Sequence, residues 1–311
     1  MTRFGRGCGS SAFYSMSKAG FIALIGRPNA GKSTLINALV YERLCLISHK
    51  ANATRKILKA IVPYMQGDIE CQMVFLDTPG ICKPTKLLNQ AMIKQIRHAL
   101  ESCDLAIFLA SIHDSPEKYQ EFLNLTPNKP HILALNKTDT ATPTKILAQI
   151  KAYQVYSAHF GALIPLSAAK RHHLEILLEE VAKLLPESPF YYDPKLLSDI
   201  QTKEIYKEMI REQIFRFLSE EIPYASDVLI MRIEEGKTRD FIDARIIVEK
   251  ESQQRMVIGK GGSVVKKIGR EARLQIEAFS EKKVFLQLEV LVQKNWTQEK
   301  DQLKKMGYMI E

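Results

Sequence analysis

Gly26-Arg27-Pro28-Asn29-Ala30-Gly31-Lys32-Ser33 follows a short apolar run at 21–26 and opens directly onto an amphipathic stretch at 32–41. A strand, a glycine-bounded turn and a helix in that order constrain the fold more than any other feature. The turn converges backbone N–H groups on one point, and the helix N-terminus adds its partial positive charge, so the unit is shaped to receive phosphate. In that frame Lys32 is placed to neutralise β- and γ-phosphates. The Ser33 hydroxyl, with Thr34 beside it, is placed to ligate Mg²⁺.

The chain that follows alternates. Apolar runs at 57–64 and 71–77 flank Gln66-Gly67-Asp68, a hairpin signal that makes one edge strand antiparallel. Residues 86–100 carry apolar side chains at helical spacing. Strands at 105–110, His131–Asn136 and 162–166 then alternate with helices near 116–123, at Pro143–Tyr153 and at 172–185. This pattern predicts an α/β fold over residues 17–185, a mostly parallel sheet with helices on both faces.

Two later segments give the phosphate loop its context. Asp77-Thr78-Pro79-Gly80 ends a strand and turns the chain. A carboxylate there can hold Mg²⁺ through water, and the Gly80 N–H can meet a γ-phosphate with no Cβ in the way. Asn136-Lys137-Thr138-Asp139 closes the strand at 131–136. The Asp139 carboxylate can accept from guanine N1–H and N2–H₂, whereas adenine offers neither donor, so the predicted nucleotide is GTP rather than ATP. Asn136 would tie this loop to the phosphate loop, and the Lys137 stem would cover the base. Ser167-Ala168-Ala169-Lys170, after the last strand, would support the base through backbone N–H groups.

Three prolines in the nine residues 186–194 break the alternation and read as a linker, taken as 186–198. A second unit follows at 199–311. Its expected elements are a long helix at 198–220, strands at 228–234 and 241–249, a helix at 253–258, a helix at 263–279, a strand at 284–292 and a closing helix at 297–306. Gly259-Lys260-Gly261-Gly262 sits between two helices and is preceded by Ile258. A G-x-x-G turn of this kind lets a phosphate backbone approach closely beside a groove for about four single-stranded nucleotides. Lys260, Lys266, Lys267 and Arg270 supply local positive charge, with Lys266 and Arg270 on one helix face.

The formal net charge of +9 points to an anionic partner, RNA or a membrane surface met peripherally. The longest apolar runs are too short to span a bilayer. Five cysteines without a C-x-x-C pair suggest a reducing, cytoplasmic compartment rather than a disulfide framework or a zinc site. Residues 1–16 are rich in Gly and Ser and carry two arginines and no acid. They read as a dispensable extension, with Met16 as the functional initiator.

Taken together, these motifs resemble the Era family, a bacterial GTPase joined to a C-terminal KH-type RNA-binding domain. The resemblance covers residues 18–308 and includes Trp296 and Met306-Gly307-Tyr308 near the end. It implies a phosphate-loop GTPase of three-layer α/β/α architecture followed by a small α+β KH (type II) domain. It implies that Thr54, which precedes Arg55, is a second protein ligand to Mg²⁺ beside Ser33 and Asp77. Ala53 stands where the family usually has another Thr, and residues 198–203 depart from the family's usual pattern. The resemblance also implies an RNA, the 3′ region of 16S ribosomal RNA during 30S assembly. Ras-like proteins orient the attacking water with a glutamine after the Asp-x-x-Gly turn, and here Ile81 stands there. Intrinsic hydrolysis is therefore expected to be slow. Asn29 resembles the asparagine that helps bind K⁺ near the phosphates in related GTPases. Two competing readings remain: an RNA-binding factor that holds nucleotide without hydrolysing it, and a GTPase acting at a membrane, the inner membrane included, or on a tRNA-modification complex.

Overall fold

Strand β1 (Ser17–Ile25) alternates its side chains between two buried faces, and that alternation sets up the first unit. The computed structural model describes residues 17–41, 54–82, 85–126, 129–219 and 221–310. The N-terminal extension and Ala53 lie outside these. β1 is followed by α1 (Lys32–Val40), β2 (Leu58–Gln66), β3 (Ile69–Asp77), α2 (Leu87–Ser102), β4 (Leu105–Ser111) and α3 (Tyr119–Leu123). Then come β5 (His131–Asn136), α4 (Pro143–Tyr153), β6 (Ala162–Pro165) and α5 (Leu174–Leu184). The sheet order is β2-β3-β1-β4-β5-β6. Among its described strands only β2 runs antiparallel, paired with β3 through the Gln66–Ile69 hairpin as expected.

Ile22 and Leu24 pack with Leu35 and Ile36 of α1 and with Leu177 and Val181 of α5. Ala23 and Ile25 pack on the opposite face with Ile96 and Ala99 of α2 and Phe122 of α3. The result is a three-layer α/β/α unit. All the strand ends that carry the nucleotide motifs open at one edge, where ligands of open α/β sheets bind.

The second unit has its own sheet and core. It comprises α6 (Thr202–Phe217), β7 (Asp227–Glu234), β8 (Arg239–Val248), α7 (Glu251–Ile258), α8 (Ser263–Ser280), β9 (Lys283–Val292) and α9 (Lys300–Lys305). β8 is central, antiparallel to β7 and parallel to β9. Ile210, Ile214, Ile242, Ala244, Ile246, Val257, Ile268 and Ala272 form the core between sheet and helices. This is the α-β-β-α-α-β order expected for the α+β unit.

The expected helix at 198–220 is shorter at both ends. Residues 197–198 run along the free edge of β2 instead: the Ile61 N–H donates to the Leu197 carbonyl at 2.8 Å, and the Ser198 hydroxyl donates to the Lys59 carbonyl. At the other end Leu218 leaves the helical region (φ −111°, ψ 147°). The closing helix is likewise split into a 3₁₀ turn at Trp296–Gln298 and the short α9. The proline-rich connection is held down as well. Buried Gln72 accepts from the N–H groups of Tyr191 and Tyr192 at 2.8 and 3.0 Å, and donates to the Tyr192 carbonyl at 2.8 Å.

The two units share a mixed interface. Leu88, Ala91 and Met92 of α2 pack with Ile247, Trp296, Leu303, Met306 and Tyr308. Close to it, fully buried Asp227 gathers Lys207 Nζ at 3.2 Å, Arg211 Nε at 3.4 Å and the donating Tyr308 hydroxyl at 2.7 Å.

Candidate nucleotide site and nucleic-acid groove

The phosphate loop leaves β1 at Gly26 and enters α1 at Gly31, which has φ 101°. A Cβ on Gly31 would come within 2.3 Å of Asn136 Nδ2, so both backbone angle and space demand glycine. Lys32 is buried and folds back over the loop, donating to the carbonyls of Gly26 at 3.0 Å and Arg27 at 3.1 Å. Burial pulls its ammonium down to about 8, against the opposing pull of Asp77. The Ser33 hydroxyl donates to Asp77 Oδ2 at 2.7 Å and lies 2.9 Å from Thr54 Oγ1. Three oxygen donors from three separate segments therefore meet at one point. Two hydroxyls and a carboxylate suit a hard, oxygen-seeking divalent cation such as Mg²⁺.

The Asp77–Gly80 turn is anchored to the same loop. The Thr78 hydroxyl donates to the Leu24 carbonyl at 2.7 Å, and the Ile81 N–H donates to the Gly26 carbonyl at 3.1 Å. Gly80 lies directly against Pro28. Arg27 reaches Asp114 at 3.4 Å, and Asn29 is exposed at φ 64° beside buried Ala30. Asn136 ties the 136–139 loop to the phosphate loop: its Nδ2 donates to the Ala30 carbonyl at 2.8 Å, and its Oδ1 accepts from the Ala168 N–H at 2.9 Å. Lys137 takes the left-handed conformation at φ 66°. Ser167 does more than offer its backbone: its hydroxyl donates to Asp139 Oδ1 at 2.5 Å and so orients the carboxylate.

Sequence reasoning missed the part played by Arg55. Its side chain is 2% exposed and lies in the second unit. It donates to the carbonyls of Ser226 at 2.8 Å, Pro223 at 2.9 Å and Tyr224 at 2.9 Å. Its guanidinium stands 5.9 Å from the centroid of the Trp296 ring, whose Nε1–H donates to the Ala225 carbonyl at 2.9 Å. Gln95 of α2 clamps the same segment, accepting from the Ile57 N–H and donating to the Arg55 carbonyl, both at 3.1 Å. The only signal in the sequence was the Thr54-Arg55 dipeptide itself.

In the second unit, Gly259 (φ 70°) begins the G-x-x-G turn, and a Cβ there would meet Val264 Cγ2 at 2.5 Å. Lys260 and Gly261 are exposed, and Gly262 leads into α8. A groove of about 490 Å³ runs from Val265 and Lys266 past Gly269, Arg270 and Arg273 on one side, with Phe285, Leu286 and Leu288 of β9 on the other. Lys266, Arg270 and Arg273 share a helix face, as i, i+4 and i+7 spacing dictates. Of the expected nucleic-acid residues, Lys266 and Arg270 are in this lining, while Ile258, the turn residues 259–262 and Lys267 are not. Lys267 is rotated away and stands over the Phe217 ring, 4.5 Å from its centroid, and Ile258 packs against the core. Arg273 and the β9 side chains were not expected; strand side chains facing a groove carry no local motif.

A family model described as 50S ribosome-binding GTPase matches residues 21–137, and one described as KH domain matches residues 221–297. The chain is 52% identical to GTPase Era of Helicobacter pylori (strain G27) over 294 residues, covering 94% of this chain and 97% of the relative. It is 43% identical to GTPase Era of Campylobacter jejuni over 289 residues, covering 93% and 98%. Two solved structures superpose with a TM-score of 0.89 at 30% identity, covering 94% of this chain and all of each neighbour. One is a single-residue variant of Aquifex aeolicus Era bound to GDP·AlF₄⁻; the other is Era in complex with MgGDPNP and nucleotides 1506–1542 of 16S ribosomal RNA.

Proposed function

Because this chain belongs to the Era family of GTPases, we propose that it is a GTP-hydrolysing switch that binds the 3′ region of 16S ribosomal RNA and assists 30S assembly and rRNA maturation. Residues 17–185 act as the G domain, 186–198 as the connection and 199–311 as the RNA-binding domain, with 1–16 dispensable. Among the described residues no helix is long and apolar enough to cross a membrane. We place the protein in the cytoplasm, with any contact at the inner membrane peripheral and driven by its positive charge.

One observation carries the switch reading. Thr54 stands at the Ser33–Asp77 cluster, while its neighbour Arg55 is buried among carbonyls of the second unit. A single peptide unit thus joins the metal site to the RNA-binding domain. Ser33 and Thr54 would hold Mg²⁺ directly and Asp77 through water, and the ion would neutralise charge developing on the phosphates. Lys32 binds the same phosphates. Asn136, Ser167 and Asp139 fix the base, with the Lys137 stem over it and Ala168 beneath the loop. Arg27, Pro28, Asn29, Ala30, Gly31 and Thr34 line the phosphate path, and Thr78, Pro79, Gly80 and Ile81 the γ-phosphate side. Ile81 has no group to orient water, so unassisted hydrolysis is slow. A K⁺ ion at exposed Asn29 would supply positive charge there. Hydrolysis is expected to be faster in potassium than in sodium buffer; equal rates would count against this role of Asn29.

The test of the whole reading is RNA affinity measured with a non-hydrolysable GTP analogue and with GDP. Tighter binding is expected with the GTP analogue. Gly259→Asp, which forces a side chain into Val264, should abolish RNA binding while leaving nucleotide binding intact. Equal RNA affinities in the two nucleotide states would defeat the switch. Arg55→Ala sharpens the test. It should leave nucleotide affinity within a few-fold and reduce the GTP/GDP ratio in RNA affinity from about tenfold, a usual coupling strength, to near one. A ratio unchanged by the substitution would show that Arg55 does not carry the coupling.

A further inference from the structure

The groove beside the G-x-x-G turn does not close at its far end. A second cavity of about 270 Å³ continues from it, and Arg273 and Phe285 line both. The continuation adds Arg239, Lys283, Leu274 and Glu277. We propose that this second cavity is a subsite for one further nucleobase of the bound RNA, stacked on Phe285, with its phosphate held by Arg239 and Lys283. The inference rests on the RNA-binding reading above and extends it past the four nucleotides a KH groove accommodates.

The strand register builds the subsite. Arg239 pairs with Lys283 and, two residues on, Phe241 pairs with Phe285. Side chains two apart share a sheet face, so two cations and two rings form one quartet. The rings are stacked, with centroids 5.6 Å apart and planes 10° apart. Phe285 is thus braced by Phe241 yet remains 51% exposed, a large apolar surface left bare at the end of a basic groove. Arg239 and Lys283 occupy paired positions of two parallel strands, so their like charges repel and an anion between them would relieve that repulsion. Among the described residues, Glu277 is the one carboxylate lining the cavity, and it does not neutralise them. Glu277 Oε1 accepts from the Val284 N–H at 2.9 Å, and its Oε2 lies 3.9 Å from Lys283, which leaves Arg239 and Arg273 in excess. Braced aromatic rings beside cations are the platform on which single-stranded nucleic acid stacks without sequence preference.

The test compares RNA fragments drawn from the 1506–1542 segment, trimmed to four nucleotides or carrying one or two more at either end. Binding to the full-length protein is read by fluorescence anisotropy. The wild type is expected to bind one of the longer fragments roughly tenfold tighter than the tetranucleotide, a typical stacking gain. The Arg239→Ser/Lys283→Ser double variant changes only side chains outside the first groove. It should keep the tetranucleotide affinity and lose the gain, and Phe285→Ala should lose it too. Replacing the added nucleotide by an abasic one should also erase it. A gain that survives all three changes, or no gain in the wild type, overturns the subsite. Failure of every fragment to bind overturns the RNA reading beneath it, a distinguishable result because nucleotide binding serves as the folding control.

Discussion

Asp139→Asn is expected to lower GTP affinity by about three orders of magnitude and to let xanthosine triphosphate bind in its place. The carboxylate has one oxygen already oriented by the Ser167 hydroxyl at 2.5 Å. Guanine would present N1–H and N2–H₂ to it, two hydrogen bonds to a charged acceptor worth about 1.5–3 kcal/mol each. The asparagine amide offers a donor where an acceptor is needed, so at least one bond becomes a clash of donors. A loss of about 4 kcal/mol corresponds to about 10³ in affinity. Xanthine carries an oxygen in place of the 2-amino group and accepts from the new amide. Phosphate and metal contacts are untouched, so the variant should bind xanthosine triphosphate well. Titration calorimetry with the two nucleotides decides the matter, and undiminished GTP affinity would remove Asp139 from the base-reading role.

Asp227→Asn is expected to cost about 3–5 kcal/mol of stability, the usual penalty for leaving buried charge uncompensated. Lys207 and Arg211 are almost wholly buried; Arg211 is shared with Glu208 at 2.7 Å, whereas Lys207 has Asp227 at 3.2 Å as its ion-pair partner among the described residues. Burial alone would raise the Asp227 carboxyl, yet the charges of Lys207, Arg211 and Arg55 and the Tyr308 hydroxyl hold it well below the usual carboxylate range. A carboxyl whose folded-state value is depressed stabilises fully above the ordinary value of about 4. That contribution is lost as pH falls below it towards the folded-state value. The wild type should therefore lose stability on acidification below about pH 4, and the Asn variant should lack that part of the profile. Urea unfolding from pH 7 to 3 checks both. An Asn variant within about 1 kcal/mol of wild type at pH 7 would mean that the cluster is not holding the second unit together.

Most of the candidate nucleotide site was legible because each motif is short and its geometry is local. A strand, a glycine turn and a helix place Gly26, Lys32 and Ser33 almost regardless of the rest of the chain, and the Asn136–Asp139 loop is equally self-contained. Family resemblance added Thr54, which spacing alone could not assign, and the structure puts it 2.9 Å from Ser33. Arg55 was illegible for a physical reason: its partners are the carbonyls of residues 223, 224 and 226, and a carbonyl has no letter in a sequence. The direction of Lys267 was ambiguous because one helical step separates it from Lys266, and the ring of Phe217 decided it. The start of α6 was misjudged because residues 198–201 suit a helix locally, while the open edge of β2 offers them hydrogen bonds that only the folded sheet reveals.

That edge sets the order in which the chain can become safe from its neighbours. Until residues 191–199 have been made, β2 displays an unpaired edge and Gln72 lacks the backbone groups it is buried against. A G unit cut at Leu185, one residue past its last helix, would carry a sticky margin open to strand addition from another copy. One cut after Asp199 would keep the margin sealed and the Lys59–Asp199 ion pair at 2.7 Å intact. Sealing the first sheet therefore takes the residues past the prolines, and the segment that looks like a tether is its hem.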